Sequence, residues 1–135
     1  MGIDRLKESD KKFSDVYEWE CFTLTGKSKL EYKIGKHIEY KKLYLRISKN
    51  IGKGSFPPEW ISARIIEAAF ENGAGLNGKL LNEFLDFKDR NSGGFLMATL
   101  KDLGAVSKKG SRYYFKTDLE SALAEKLKGE KMNES

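Results

Sequence analysis

The hydrophobic positions of this chain change period partway along, from two in the first third to that of a helix in the remainder. Ahead of the period-two region, residues 1–14 carry alternating charges and little apolar pattern, and read as a flexible, solvated arm. From Asp15 onward, Tyr17, Trp19, Cys21 and Thr23 alternate with Glu18, Glu20, Phe22 and Leu24, which predicts a strand with both faces partly covered. Thr25-Gly26-Lys27-Ser28 makes a turn, and Leu30, Tyr32 and Ile34 give a second strand. Gly35-Lys36 turns into a third, from Ile38 to about Ser48, with Leu43, Leu45 and Ile47 on its buried face. Residues 15–50 are thus predicted to form a three-stranded antiparallel meander, one face covered and the other in water.

Residues 51–58 form a linker, loosened by Gly52 and Gly54 and closed by Pro57 and Pro58, which refuse a strand. A first helix follows from Glu59, whose charge suits the positive end of the helix dipole, with Ile61, Ile65, Ala68 and Ala69 on its apolar face up to Phe70. Gly73 to Gly78 breaks the chain, and Asn77 or Gly78 opens a second helix in which Leu80, Leu81, Phe84 and Leu85 recur at helical spacing, ending near Phe87. Ser92 is the candidate N-cap of a third, with Leu96, Leu100 and Leu103 on one face and Gly104 as its stop. Ala105-Val106 begins a short strand, Lys108, Lys109 and Gly110 turn it, and Arg112 to Lys116 returns it. Thr117 or Asp118 caps a last helix carrying Leu119, Leu123 and Leu127, with Gly129 ending it and residues 129–135 as a tail.

A helix ending in Leu-Gly-Ala-Val, a basic hairpin and then Tyr-Tyr-Phe resembles the third helix and wing of a winged helix-turn-helix domain. The likeness extends over residues 59–128, in the order helix, helix, helix, strand, strand; the first strand of that fold would be the short Gly75-Leu76 step. The expected class is therefore α+β, an N-terminal antiparallel meander followed by a winged-helix-like unit with a hairpin wing and a terminal helix. The resemblance implies a third helix presented to a nucleic-acid groove and a wing on the backbone, as in a transcription or replication regulator. It also allows a terminal helix that either docks on its own chain or makes a homodimer interface.

Charge sharpens this expectation. The chain has 135 residues, 25 Lys and Arg against 20 acids, and a net charge of +5, which favours a polyanionic partner. Residues 27–53 hold nine basic side chains against two acidic ones, and residues 90–116 hold six against Asp102, while residues 54–89 hold three against six. The candidate contacts are therefore Lys36, Lys41, Lys42 and Arg46 on the meander; Arg90, Asn91, Ser92, Met97 and Lys101 on the third helix; and Lys108, Lys109, Arg112 and Lys116 on the wing. Gly93-Gly94 would allow a close backbone approach at the start of that helix. As a base-reading set these side chains are poor, so contacts to the phosphate backbone should dominate, with duplex DNA favoured over RNA.

Other chemistry is weakly encoded. Gly73-Ala74-Gly75-Leu76-Asn77-Gly78 matches a dinucleotide-binding spacing, but a helix precedes it and no parallel sheet surrounds it. Gly26-Lys27-Ser28 resembles the end of a P-loop, yet Cys21 stands where the first glycine belongs. His37 is the single histidine and Cys21 the single cysteine, so no zinc-finger spacing exists and no internal disulfide can form. The expectation is a non-catalytic, intracellular, cytoplasmic protein with no cofactor, no metal and no membrane partner. Two alternatives stand beside it: a protein–protein interaction module of a transcription or replication machine, and, a distant third, a nuclease using His37.

Overall fold

The computed structural model describes residues 2–50 and 58–134, so residues 51–57 of the predicted linker, with Lys53, lie outside the described residues. It is a mixed α+β structure with a five-stranded antiparallel sheet, a separate two-stranded hairpin and four α-helices. The sheet strands are β1 (Arg5–Leu6), β2 (Phe13–Phe22), β3 (Lys29–His37), β4 (Leu43–Asn50) and β5 (Trp60–Ser62), in the spatial order β1-β5-β4-β3-β2. The helices are α1 (Ala63–Ala69), α2 (Gly78–Leu85), α3 (Ser92–Asp102) and α4 (Leu119–Glu134), with β6 (Val106–Lys109) and β7 (Arg112–Phe115) between the last two.

Alternation along the strands sends Leu30, Tyr32, Ile34, Leu45 and Ile47 to one face, where they join Ile66, Leu81, Leu96, Leu100, Leu119 and Leu123 in a single core. Sheet and helices thus pack as two layers around one shared core. On the opposite face Tyr44 joins Leu6, Phe13 and Trp60 in a smaller cluster, in which the Phe13 and Trp60 rings stack at 4.1 Å. A one-residue bulge between Ser14 and Tyr17, where Asp15 takes a left-handed conformation (φ 54°), lets Phe13 face this cluster while Tyr17 faces the main core.

Several sequence expectations give way here. Within the segment read as a flexible arm, Arg5 and Leu6 pair with Ile61 and Trp60, and a single 3-10 turn spans Asp10–Lys12. Arg5 ion-pairs with the buried Glu59 at 2.5 Å and donates to the Leu85 carbonyl, Ser62 donates to Asp4 at 2.7 Å, and His37 shares a hydrogen with Glu8 at 2.6 Å. Gly35-Lys36 is not a turn but strand, paired with Tyr44 and Leu43 of β4, and Phe13 and Val16 lie within 3.2 Å of where a Cβ at position 35 would sit. The turn falls at residues 38–42 instead, and the His37 Nδ1 accepts the backbone N–H groups of Glu39 and Tyr40 to hold it. Glu59 and Ile61 belong to or abut β5, and α1 begins only at Ala63, capped by the Ser62 hydroxyl on the Ile65 N–H at 3.1 Å. The last helix passes through Gly129 to Glu134, so residues 129–134 are not a tail. Trp19 donates to Glu130 at 3.1 Å and Lys131 pairs with Asp15 at 2.7 Å, contacts that outweigh the roughly 1 kcal/mol cost of a mid-helix glycine.

One pair on this scaffold ties stability to pH. Burial first, and a hydrogen bond to the Asp118 carboxylate second, push Glu67 on α1 from 4.5 up to about 7. The same bond, with those from Ser121, holds Asp118 at the head of α4 below its ordinary value. Folded Glu67 keeps a proton that the unfolded chain releases, so its contribution falls as pH rises from 4.5 through 7 and the full penalty stands above that. Glu67→Gln keeps a donor to Asp118 without the titration. Urea midpoints for the variant should match wild type near pH 4.5. Above pH 7 they should exceed it, by roughly 1 kcal/mol once solvent screening of a partly exposed group is allowed for.

Candidate nucleic-acid interface

The fold sorts the thirteen candidate contacts into separate places. Ser92 and Met97 are both fully buried, at 0% exposure, and are removed from any contact set. The reason lies in the packing of α3: seven of its eleven residues are buried, since α2 covers one side and β2 another, so the helix is apolar nearly all round. Gly93-Gly94 does serve a close approach, but the approaching backbone is α2. A Cβ on Gly93 would lie 2.1 Å from the Gly78 carbonyl oxygen, and the Gly93 N–H donates to the Asn82 side chain at 2.7 Å. The far end of α3 is fixed by Tyr32, whose hydroxyl donates to Asp102 at 2.7 Å.

Of the meander cations, Arg46 and its cross-strand neighbour Lys33 share Asp10, at 3.4 and 2.7 Å, and Lys29 pairs with Glu20 at 3.2 Å. Two carboxylates thus offset part of the charge of these three cations. Lys36 and Lys41 are exposed and line a groove of about 460 Å³ against α4, with Lys128, Lys131 and the acids Asp15 and Glu120. Lys42, partly buried, faces a mixed group of Arg64, Glu67, Glu71 and Glu120.

Arg90 and Asn91 fare differently. Both are exposed and line an open cleft of about 660 Å³ between the β2–β3 turn and the starts of α2 and α3. Across it stand Thr23, Leu24, Thr25 and Ser28, and beside them Lys79 and Phe95. Local structure places each one. Asn77 caps α2 by accepting from the Leu80 N–H at 2.8 Å, which sets Lys79 in the first turn, while the Gly78–Gly93 contact brings the start of α3 alongside. The Thr23 hydroxyl and the Ser28 backbone close the β2–β3 turn. No carboxylate lines this cleft, and neither Lys79 nor Arg90 has an ion-pair partner among the described residues.

The β6–β7 hairpin adjoins this region through the backbone. Leu76 and Tyr113 exchange both N–H groups, at 3.0 and 2.6 Å, so the Gly75-Leu76 step is a one-residue strand beside β7. Arg112 donates to the Ala74 carbonyl at 3.2 Å, and Gly75 lies under the Tyr114 ring, where a side chain would not fit. Four residues of chain thus separate the Arg112 contact at Ala74 from Lys79. Lys108 and Lys109 are exposed on the hairpin, Lys108 lying 6.0 Å from the Tyr113 ring, and Gly110 (φ +66°) makes its two-residue turn. Lys101 and Lys116 are exposed but line none of these grooves.

The two groups of free cations do not meet. Ser28 and Lys36 stand at opposite ends of β3, about 26 Å apart at the rise of an extended strand. Lys79 and Phe95 were not singled out in sequence, because nothing local distinguishes a helix-face lysine or a phenylalanine in an apolar helix; their significance comes from the turn that faces them.

His37 is buried at 3% exposure with both ring nitrogens engaged, Nε2 by Glu8 and Nδ1 by the turn. Cys21 is buried beside Thr99 and Asp102, and desolvation pushes its thiol up to about 12. Among the described residues no group of three or more His, Cys, Asp or Glu could hold a metal ion, and no helix is long and apolar enough to cross a membrane. Comparison with protein-family models, curated proteins and solved structures finds no match.

Proposed function

We propose that the protein is a nucleic-acid-binding protein in which residues 63–134 are a winged-helix unit and the N-terminal sheet is packed onto its third helix. The order α1, Leu76 strand, α2, α3, β6, β7 supports the winged-helix reading. The observation that carries the function is a set of cations without an ion-pair partner among the described residues: Lys79 and Arg90 at a cleft that no described carboxylate lines, and Lys108, Lys109 and Arg112 on the hairpin that bonds to Ala74. Such a set gathers phosphates through charge, and each neutralised phosphate releases counterions. Burial of Ser92 and Met97 argues against α3 lying in a groove, so the contacts here are to the backbone and to whatever enters the cleft.

Binding of labelled duplex DNA, single-stranded DNA and RNA of mixed sequence across a salt series tests the proposal. Affinity should fall steeply with salt, and Lys79→Glu with Arg90→Glu should weaken it about tenfold or more and flatten the slope by roughly two contacts. Absence of binding at low salt would overturn the reading. The exposed Phe22 and Phe84, at 61% and 50%, favour a second reading as a protein-interaction module, which predicts a complex that survives high salt and nuclease.

A further inference from the structure

We infer that the cleft between the β2–β3 turn and the starts of α2 and α3 takes one unpaired nucleotide, so that the protein prefers single-stranded nucleic acid to duplex. This rests on the nucleic-acid reading above and goes further, because charge alone would favour the more densely charged duplex. The cleft's volume, about 660 Å³, lies in the range of small-molecule sites. Its lining separates by chemistry in the way a nucleotide does. Phe95 and Leu24, each partly buried against the core, offer an apolar wall on which a base can stack. Asn91 contributes an exposed side-chain amide with both donor and acceptor, and caps nothing in α3. Lys79 and Arg90 supply the charge for the phosphate.

A base within a duplex keeps its faces stacked on its neighbours and cannot enter such a cleft, whereas a single strand offers its bases freely. The alternative for a duplex, base-edge contacts from α3, lacks exposed side chains over most of that helix. The same chemistry occurs in single-stranded DNA and in RNA, which differ at the sugar hydroxyl.

The test compares oligothymidylate, oligouridylate and a mixed-sequence duplex at matched salt, each also with one fluorescent adenine analogue, against wild type, Phe95→Leu and Asn91→Ala. Phe95→Leu keeps the apolar fill against the core and removes the flat ring, and circular dichroism checks that both variants fold. The expected result is tighter binding of a single strand than of the duplex, with quenching of the analogue. Phe95→Leu should weaken single-strand binding about tenfold and leave duplex binding unchanged. Whichever of the two single strands binds more tightly names the source. Equal binding of single strand and duplex, with no effect of Phe95→Leu, would overturn this inference and leave the nucleic-acid reading standing. Failure of every probe to bind would remove both.

Discussion

Gly93→Ala should destabilise the protein by at least about 3 kcal/mol, the upper range for forcing a group into a filled interior. The added Cβ would sit 2.1 Å from the Gly78 carbonyl oxygen and 2.6 Å from the Asn82 backbone nitrogen. Both are main-chain atoms of α2, so no rotamer change relieves the clash; the two helices must separate, and the Gly93 N–H must lose its bond to Asn82. Separation would also loosen the core packing of Leu81, Leu96 and Met97, all buried at 1% or less. Gly94→Ala is the internal control. No atom lies within 4 Å of its Cβ, and alanine gains about 0.5–1 kcal/mol of helix preference over glycine. Chemical denaturation of the two variants should move in opposite directions, and a Gly93→Ala midpoint equal to wild type would show that α2 and α3 do not pack as described.

Deletion of residues 2–9 should cost at least about 5 kcal/mol, the sum of its two largest losses. Removing the buried Leu6 side chain from the Phe13–Trp60 cluster forfeits about 2 kcal/mol of apolar burial. Removing Arg5 leaves the Glu59 carboxylate, 5% exposed, without its cation, a loss of about 3 kcal/mol for a buried pair broken on one side. Loss of Asp4 and Glu8 adds the Ser62 and His37 hydrogen bonds to the deficit. A solvated arm would cost nothing, so a thermal melt unchanged by the deletion would contradict the sheet order. Arg5→Met, which keeps an apolar stem beside the Phe87 ring but removes the charge, isolates the polar share, that is the Glu59 ion pair and the bond to the Leu85 carbonyl.

The arm shows why such segments escape a reading by period. β1 is two residues long, too short for alternation to register, and its hydrogen-bonding partner, β5, lies more than fifty positions away. β5 itself, Trp60–Ser62, sits where Ile61, Ile65 and Ala68 also satisfy helical spacing, and the strand prevails because β4 and β1 flank it. By contrast the β6–β7 hairpin and the stop at Gly104 (φ +72°) depend on neighbours within a few positions, and the sequence suffices to place them; it also narrows the caps to Asn77 or Gly78 and to Thr117 or Asp118, of which the structure uses Asn77 and Asp118.

The candidate interface divides along the same line. Arg90, Asn91 and the hairpin lysines are exposed cations and an amide that residue type alone brings forward, whereas Ser92 and Met97, singled out on the same helix, are buried. By itself the sequence determined the α+β class, the β2–β3 and β6–β7 hairpins, the helix order and the pool of basic side chains, because these follow from short-range period, capping and charge. Only the tertiary structure decided which face of α3 is covered, which lysines meet a carboxylate and which two elements frame a cleft. Those outcomes depend on pairing side chains far apart in the chain, and no local free energy records them.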